Sequence, residues 1–408
     1  LIAGVVAMMS ISAPQYTWTL FTKPLLGLVG GTLADLQWTF SILIVLQTWL
    51  SPLQGALIER FGPRQLVIAG CALSGLSWLL TAFSPSLVGI YLTYGLFGGI
   101  GTGIVYVGIV GHMVRCFPDR RGFATGMVAA GYGFGAIFLN FPIADMLADA
   151  GLKQTLIVFG LIQGIVGVAA ANLLREPTAE MVPIAARRLP SGNVNYSSGA
   201  MLRTPLFWLL FVMMTMMSTG GLMVISQFAT FSRSFGIDEK VMVLGFSALP
   251  FALTCDRITN GLTRPFFGFV SDRIGRENAM GIAFLGEGLA IFGMLSVRDD
   301  PFLYVLLSGL VFFGWGEIFS LFPATLTDTF GERNATKNYG FLYMAQGIGS
   351  VLGGPVAALI YQQQGSWIPV FALIIVMDIL TGLLALFVLK PMRRAIMTEL
   401  PEPVPSAA

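Results

Sequence analysis

Gly55-Ala56-Leu57-Ile58-Glu59-Arg60-Phe61-Gly62 returns as Gly268-Phe269-Val270-Ser271-Asp272-Arg273-Ile274-Gly275, at an offset of 213 (268 − 55). Each copy reads Gly, three residues, an acid, Arg, an apolar residue, Gly. Two further pairs keep the same register. Gly101-Thr102-Gly103 matches Gly314-Trp315-Gly316, and Phe117-Pro118-Asp119-Arg120 matches Phe330-Gly331-Glu332-Arg333. Isolated matches of Gly and charge are common. One offset held across three separate segments marks an internal duplication.

Hydropathy says what is duplicated. Of the 408 residues, 55% are hydrophobic and 11% charged, and mean hydropathy is +0.78. A soluble domain carries roughly 25% charged residues, so the solvent of this chain is lipid. Apolar segments long enough to cross a bilayer alternate with short polar breaks. The expected spans are Leu1 to Leu25, Leu36 to Ile58, Leu66 to Phe83, Leu87 to Val114, Gly122 to Leu147 and Leu156 to Leu174, then Phe207 to Phe231, Val241 to Phe269, Ala279 to Val297, Phe302 to Leu326, Gly340 to Ile360 and Ile368 to Leu389. The sequence therefore predicts an all-α membrane protein with twelve transmembrane helices in two six-helix pseudo-symmetric bundles. Residues 1–174 are the first bundle, 175–204 a cytoplasmic linker, 205–390 the second bundle, and 391–408 a polar, Pro-rich cytoplasmic tail expected to be disordered. Six helices per half return the chain to one side, so the repeats are parallel. Leu1 lies inside an apolar segment and reads as a trimmed first span.

Orientation follows the Lys and Arg bias. Of 23 such residues, Lys23, Lys153, Arg233, Lys240 and Arg298 fall on one side. Arg257 and Arg264 fall inside a span, and the remaining sixteen lie on the other side. That side is expected to be cytoplasmic and to hold both termini.

Several functions are disfavoured. A net charge of +2 with no basic patch gives no nucleic-acid partner. Cys71, Cys116 and Cys255 have neither metal nor disulfide spacing. There is no P-loop, and His112, the lone histidine, has no nucleophile to serve, so an enzyme is not expected and no cofactor is implied. Gly98-Gly-Ile-Gly101-Thr-Gly103 and Gly131-Tyr-Gly133-Phe-Gly135 imitate nucleotide loops but lie inside apolar spans, where small residues allow close helix approach.

Charges inside a span are functional candidates, because each costs several kcal/mol. The eighth span is the richest. Arg257, Asn260 and Arg264 follow i, i+3, i+7 and share a face, and Asp256 sits one turn before Asn260. An arginine offers a planar fork of donors that grips a carboxylate bidentately. Glu287, Glu317 and Asp378 are further buried acids, and Glu317 is a candidate for proton coupling beside Asp256.

The Gly-x-x-x-[Asp/Glu]-Arg-x-Gly signature resembles the loop motif of the major facilitator superfamily, and the likeness covers nearly the whole chain. It implies that Glu59, Arg60, Asp272 and Arg273 latch helix ends on the cytoplasmic side. Asn260-Gly261-Leu262-Thr263-Arg264-Pro265 is similar to the eighth-helix segment of the monocarboxylate and oxalate–formate transporters. There the arginine binds the substrate carboxylate, which implies that role for Arg264. In the animal branch an aspartate stands four residues earlier. Here that place is Asn260, and Asp256 is the substitute. Asn338-Tyr339-Gly340-Phe341 resembles the eleventh-helix segment of the oxalate–formate exchangers, whose second cation aligns with Gln346. Tyr16, Tyr106, Trp315, Phe319 and Tyr343 fall in segments that resemble the aromatic cage of those families, and Tyr106 and Phe319 are equivalent in the repeat.

With one strong cation and neutral donors, the expected cargo is a small monocarboxylate of the lactate or pyruvate kind, moved with protons by alternating access. The alternative is a carboxylate exchanger of the oxalate–formate type. The chain is expected to work as a monomer in a bacterial inner (plasma) membrane.

Overall fold

The computed structural model describes residues 1–117, 121–175, 195–331 and 334–398. Residues 176–194 of the linker, the tail from 399, Pro118-Asp119-Arg120 and Glu332-Arg333 lie outside the described residues, as does the Glu59 side chain.

Among the described residues the regular structure is helical, save one small hairpin. The first part runs α1 (Ile2–Ser10), α2 (Ala13–Tyr16), α3 (Trp18–Val29), α4 (Leu33–Trp49), α5 (Ser51–Phe61), α6 (Pro63–Thr81), α7 (Leu87–Ile90), a π-helical stretch Tyr91–Phe97, α8 (Gly98–Cys116), α9 (Arg121–Phe134), α10 (Asn140–Asp149) and α11 (Gly151–Asn172). After the short α12 (Ser198–Met201) come α13 (Pro205–Ser234), α14 (Ala248–Ile274), α15 (Arg276–Ser296), α16 (Pro301–Trp315), α17 (Ile318–Phe330), α18 (Ala335–Val351), a π-helical stretch Leu352–Val356, α19 (Ala357–Gln364), α20 (Ile368–Leu384), a π-helical stretch Ala385–Leu389 and α21 (Lys390–Thr398).

Local chemistry sets the boundaries. Thr32 and Asp35 close α4 with a reciprocal capping box, which satisfies two orphan amides. Gly62 and Gly275, the last residues of the two motif copies, end α5 and α14 at φ 84° and 89°, a region that favours glycine. The duplicated sequence thus makes a duplicated turn. The eighth span is expected from Val241, but Met242–Val243 pairs antiparallel with Phe246–Ser247. Leu244 and Gly245 both have positive φ (52° and 85°), as a tight two-residue hairpin loop requires, and the helix starts only at Ala248.

Among the described residues, eight helices are long and apolar enough to cross a membrane, or nine if the bent pair Leu33–Trp49 and Ser51–Ile58 counts as one span. Three expected spans do not pass as single apolar helices. The first is divided into α1, α2 and α3, and the fifth into α9 and α10. The eighth, α14, is long enough but carries the charges. The breaks meet one another: a Cβ placed on Gly135, after α9, would lie 2.1 Å from Ser12 Oγ and 2.5 Å from the Met9 carbonyl, at the end of α1. Glycine there lets two interrupted helices touch.

Helices up to α11 pack chiefly on each other, as do those from α13 onward. The main crossings are α4 with α18 and α9 with α14. The repeat offset maps α4 onto α14 and α9 onto α18, so these two crossings are images of one another. The outside is apolar: Ile165, Phe292, Val376 and Phe387 are all more than half exposed, the surface expected of a protein solvated by lipid tails.

For residues 391–398, the described part of the tail, the expectation of disorder is corrected. Residues 390–398 form α21, with Arg393 buried against Glu277 at 2.5 Å and donating to Thr329 at 2.8 Å. A charged pair shielded from water holds the helix where composition suggested none.

Candidate functional site

α14 presents one polar face. Arg257, Asn260 and Arg264 are buried on it, as their spacing requires. Arg264 is 4% exposed and Arg257 1%, so both guanidiniums are shielded from solvent in this conformation. Arg264 Nη1 donates to the Ala129 carbonyl of α9 at 2.5 Å. Its Nη2 lies 3.5 Å from Tyr16 Oη and 3.4 Å from Asn260 Oδ1, at the long limit of hydrogen bonding. The guanidinium sits 4.6 Å over the Phe319 ring. Arg264 Nε has no partner, nor has Asn260 Nδ2. The ion pairs among the described residues involve Arg233, Arg276 and Arg393, so Arg264 is a buried cation without a carboxylate.

Arg257 is a second one. Its guanidinium is sandwiched between the Tyr16 ring (4.4 Å) and the Phe312 ring (4.2 Å), and its Nε and Nη1 have no hydrogen-bond partner. Cation–π contact is worth about 2 kcal/mol or more when desolvated, which offsets only part of the burial cost. Asp256 makes no ion pair with it: Oδ1 accepts from Ser308 of α16 at 3.0 Å and Oδ2 is unpartnered. Tyr16 therefore stands between two cations, its ring on Arg257 and its hydroxyl toward Arg264.

The aromatic residues chosen from sequence form one connected wall. Tyr106 stacks on Tyr343 at 5.9 Å, Tyr343 meets Phe319 at 6.4 Å, and Phe319 meets Trp315 edge-on at 5.4 Å. The wall closes through two residues not chosen. Tyr132 bridges Tyr16 (5.3 Å) and Tyr106 (5.4 Å), and donates to Gln15 Oε1 at 2.6 Å. Tyr339 stacks on Tyr343 at 5.6 Å. Tyr339 belongs to the Asn338-Tyr339-Gly340-Phe341 segment of the eleventh span. Tyr132 was visible only as the bulky residue between two glycines, and the aromatic contact it makes is tertiary. Gln346 is buried on α18 with its Oε1 unpartnered, and the hydrogen bonds of Arg264 go to Ala129, Tyr16 and Asn260 instead.

Glu317 lies in the break between α16 and α17 (Gly316–Glu317), where both carboxylate oxygens are unpartnered. Gly316 permits the break to lean on α14: a Cβ there would lie 2.2 Å from Thr263 Cγ2 and 2.7 Å from the Asn260 carbonyl.

Polar contacts seal the end of the molecule away from the motif loops. Gln37 accepts from Trp18 Nε1 at 3.1 Å and donates to the Ser226 carbonyl (3.3 Å) and Gln227 Oε1 (3.1 Å). Gln227 donates to the Gly354 carbonyl at 3.3 Å, and the Ala229 amide to Thr19 Oγ1 at 2.7 Å. At the motif loops, Asp272 pairs with Arg276 (2.6 Å), which reaches Asp328 of α17 (2.9 Å). Arg273 lies over Phe269 and Arg60 over Phe61. In the second half the ion pairs at this loop thus run through Arg276, a residue outside the signature.

A multi-pass helical bundle with unpaired cations on a closed central face is the architecture of a membrane carrier. The chain belongs to the Major Facilitator Superfamily, whose family model matches residues 1–255 and again 248–406. It is 33% identical over 398 residues to an oxalate:formate antiporter of Oxalobacter formigenes, covering 97% of this chain and 92% of that one. It is 26% identical over 342 residues to monocarboxylate transporter 13 of Bos taurus, covering 82% and 75%. A crystal structure of a point mutant of the nucleoside transporter NupG superposes with TM-score 0.69 at 14% identity, covering 94% of this chain and 98% of that one, a likeness of fold alone. The chain is thus an integral, multi-pass membrane transporter, related to carriers named for small organic anions.

Proposed function

We propose that this protein is a secondary carrier of small monocarboxylates, coupled to protons, and that Arg264 holds the substrate carboxylate. Two six-helix halves, residues 1–174 and 205–390, rock about this site by alternating access. The observation that carries the reading is Arg264 itself: a buried guanidinium with a free Nε–H, aromatic surface beneath it and, among the described residues, no acid in ion-pair contact with it. An anion completes such a site. Each charged hydrogen bond it forms contributes about 1.5–3 kcal/mol. Tyr16, Asn260 and the Tyr106–Tyr343–Phe319–Trp315 wall size and dry the chamber, while Gln346 adds a neutral donor. Asp256 and Glu317 are the acids available for proton coupling. Both termini lie on the cytoplasmic side of a bacterial inner membrane, and the monomer is the working unit.

A second reading is exchange of carboxylates, dicarboxylates included. Arg257 favours it, as a further unpaired cation on the same face of α14, and so does the likeness to an oxalate:formate antiporter. Proteoliposomes separate the two. Lactate uptake driven by an inward proton gradient with no internal anion supports symport. An absolute need for an internal anion supports exchange. Absence of any carboxylate flux defeats both.

A further inference from the structure

We propose that Glu287, Glu317 and Asp378 form a proton-binding site in the second half of the protein, linked through Glu317 to the anion site at Arg264. The link rests on Arg264 being the anion anchor. The proton site itself does not.

The three acids come from different elements: Glu287 from the middle of α15, Asp378 from α20, and Glu317 from the α16–α17 break. Each is at most 1% exposed, and among the described residues none of their six carboxylate oxygens has a hydrogen-bond partner. Glycines bring them together. A Cβ on Gly314, three residues before Glu317, would lie 2.6 Å from Glu287 Cβ. A Cβ on Gly288, next to Glu287, would lie 3.4 Å from Asp378 Cβ. On the α13 side, Asp378 Oδ1 lies 3.4 Å from where a Gly220 Cβ would stand, and Trp315 Nε1 fills the notch at Gly221, the next residue. That indole N–H is fully buried and also unpartnered. A bare donor and a bare carboxylate oxygen thus share one step of α13.

Among the described residues nothing around them supplies a counter-charge except Arg264. α13 has no titratable side chain from Pro205 to Ser232. On α15, Arg276 is taken by Asp272 and Asp328, and Glu277 by Arg393. α16 offers Tyr304, bonded to Ser232; α17 offers Asp328, bonded to Arg276; α20 offers Asp378 alone. On α18, Lys337 is exposed, and Tyr339 and Tyr343 stack on each other. On α14, Cys255 adjoins Asp256, which faces Ser308; Arg257 lies between Tyr16 and Phe312; and Asp272 and Arg273 are at the far end of the helix. Within electrostatic reach of Glu287 are Asp378 and Glu317, and within reach of Glu317 are Asp378 and the cation Arg264.

Three uncompensated negative charges cannot be held in a bilayer interior, where each costs several kcal/mol. A proton is the ligand small enough to neutralise each without new space. A metal ion does not suit the geometry, since no described group of three His, Cys, Asp or Glu is arranged to hold one. Glu317, nearest the anion site, supplies the coupling. An ionised Glu317 and a bound anion compete for the charge of Arg264. Anion binding therefore promotes proton uptake on Glu317, and a proton there promotes anion binding to the same degree. The step is one carboxylate taking one proton from solution, reversed on the other side of the membrane.

Two measurements on the full-length protein in liposomes test this. Infrared spectra at neutral pH should contain the carbonyl stretch of protonated carboxyl groups, reduced in each of Glu287→Gln, Glu317→Gln and Asp378→Asn. A parent spectrum without that band, or a band unchanged by all three substitutions, overturns the proton site. In Glu317→Gln, the ratio of proton-gradient-driven lactate uptake to lactate counterflow should fall roughly tenfold; an unchanged ratio overturns the link. If the parent carries no lactate, the proposed function fails while the infrared result still decides the proton site. Should Glu317→Gln fail to insert, the other two variants decide it.

Discussion

The two halves share a scaffold and differ in how they use it. At the repeat offset, Ser51-Pro52 stands opposite Arg264-Pro265. In the first half the chain breaks there: α4 and α5 meet at 51°, with Ser51 Oγ returning to the Gln47 carbonyl at 3.2 Å. In the second half α14 runs through Pro265 unbroken over 27 residues. The first half also interrupts its first and fifth helical stretches, while α13 of the second is continuous over 30 residues. The charges divide in the opposite sense. Arg257, Arg264, Glu287, Glu317 and Asp378 are all in the second half and all buried. A buried charge must be held in a fixed place or its cost is not recovered, and an unbroken α14 holds Arg257 and Arg264. The described residues of the first half bury no arginine, lysine or carboxylate, and it is there that the second span bends.

The crossings repeat the lesson. On the α9–α14 side Gly261 meets Phe134, where an added Cβ would lie 2.2 Å from the ring. At the equivalent α4–α18 crossing the glycine is on the other partner: Gly347 faces Trp49 Nε1 and Thr48 Oγ1, at 2.5 and 3.0 Å from an added Cβ. Knob and hole have changed places, so the two interfaces share geometry but not side chains.

The largest expected effect is at the charge that breaks the symmetry. Arg264→Ala should reduce carboxylate counterflow to the level of protein-free liposomes. Arg264→Lys, which keeps the charge but loses the fork, should cost about 1.5–3 kcal/mol, or roughly 10- to 100-fold in apparent affinity. Next comes the crossing. Gly261→Ala should destabilise the protein by about 1–3 kcal/mol through overpacking, read as a lower melting temperature in detergent, and Phe134→Ala in the same chain should recover part of it. Failure of the second change to help would mean the two do not compete for one space. Gln37→Ala removes neutral hydrogen bonds worth about 0.5–1.5 kcal/mol each. It should raise cysteine labelling inside the seal several-fold, and unchanged labelling would assign closure elsewhere. Gln346→Lys should strengthen dicarboxylate binding over the parent. Asp272→Asn should change stability by less than about 1 kcal/mol, since its partner Arg276 retains Asp328 near the surface.

Much of this was legible in the sequence, for physical reasons. The offset of three motifs fixed the duplication, because glycine and charge at loops cannot drift without breaking the turns at Gly62 and Gly275. The i, i+3, i+7 spacing placed Arg257, Asn260 and Arg264 on one buried face. Other features depend on distant partners. The close approach of the Ser12 break to Gly135 joins distant segments, Tyr132 joins the wall through Tyr16 and Tyr106, and the Gln37–Gln227 seal joins residues from opposite halves. α21 is held by Arg393 reaching Glu277, which no local pattern announces.

Equilibrium binding of labelled lactate to purified protein and to Arg264→Ala tests the central claim most directly. Saturable binding by the parent, weakened about 100-fold or more in the variant while its melting temperature without ligand stays within a few degrees of the parent's, is the predicted result. Equal binding by both proteins would contradict it and move the anion site away from α14.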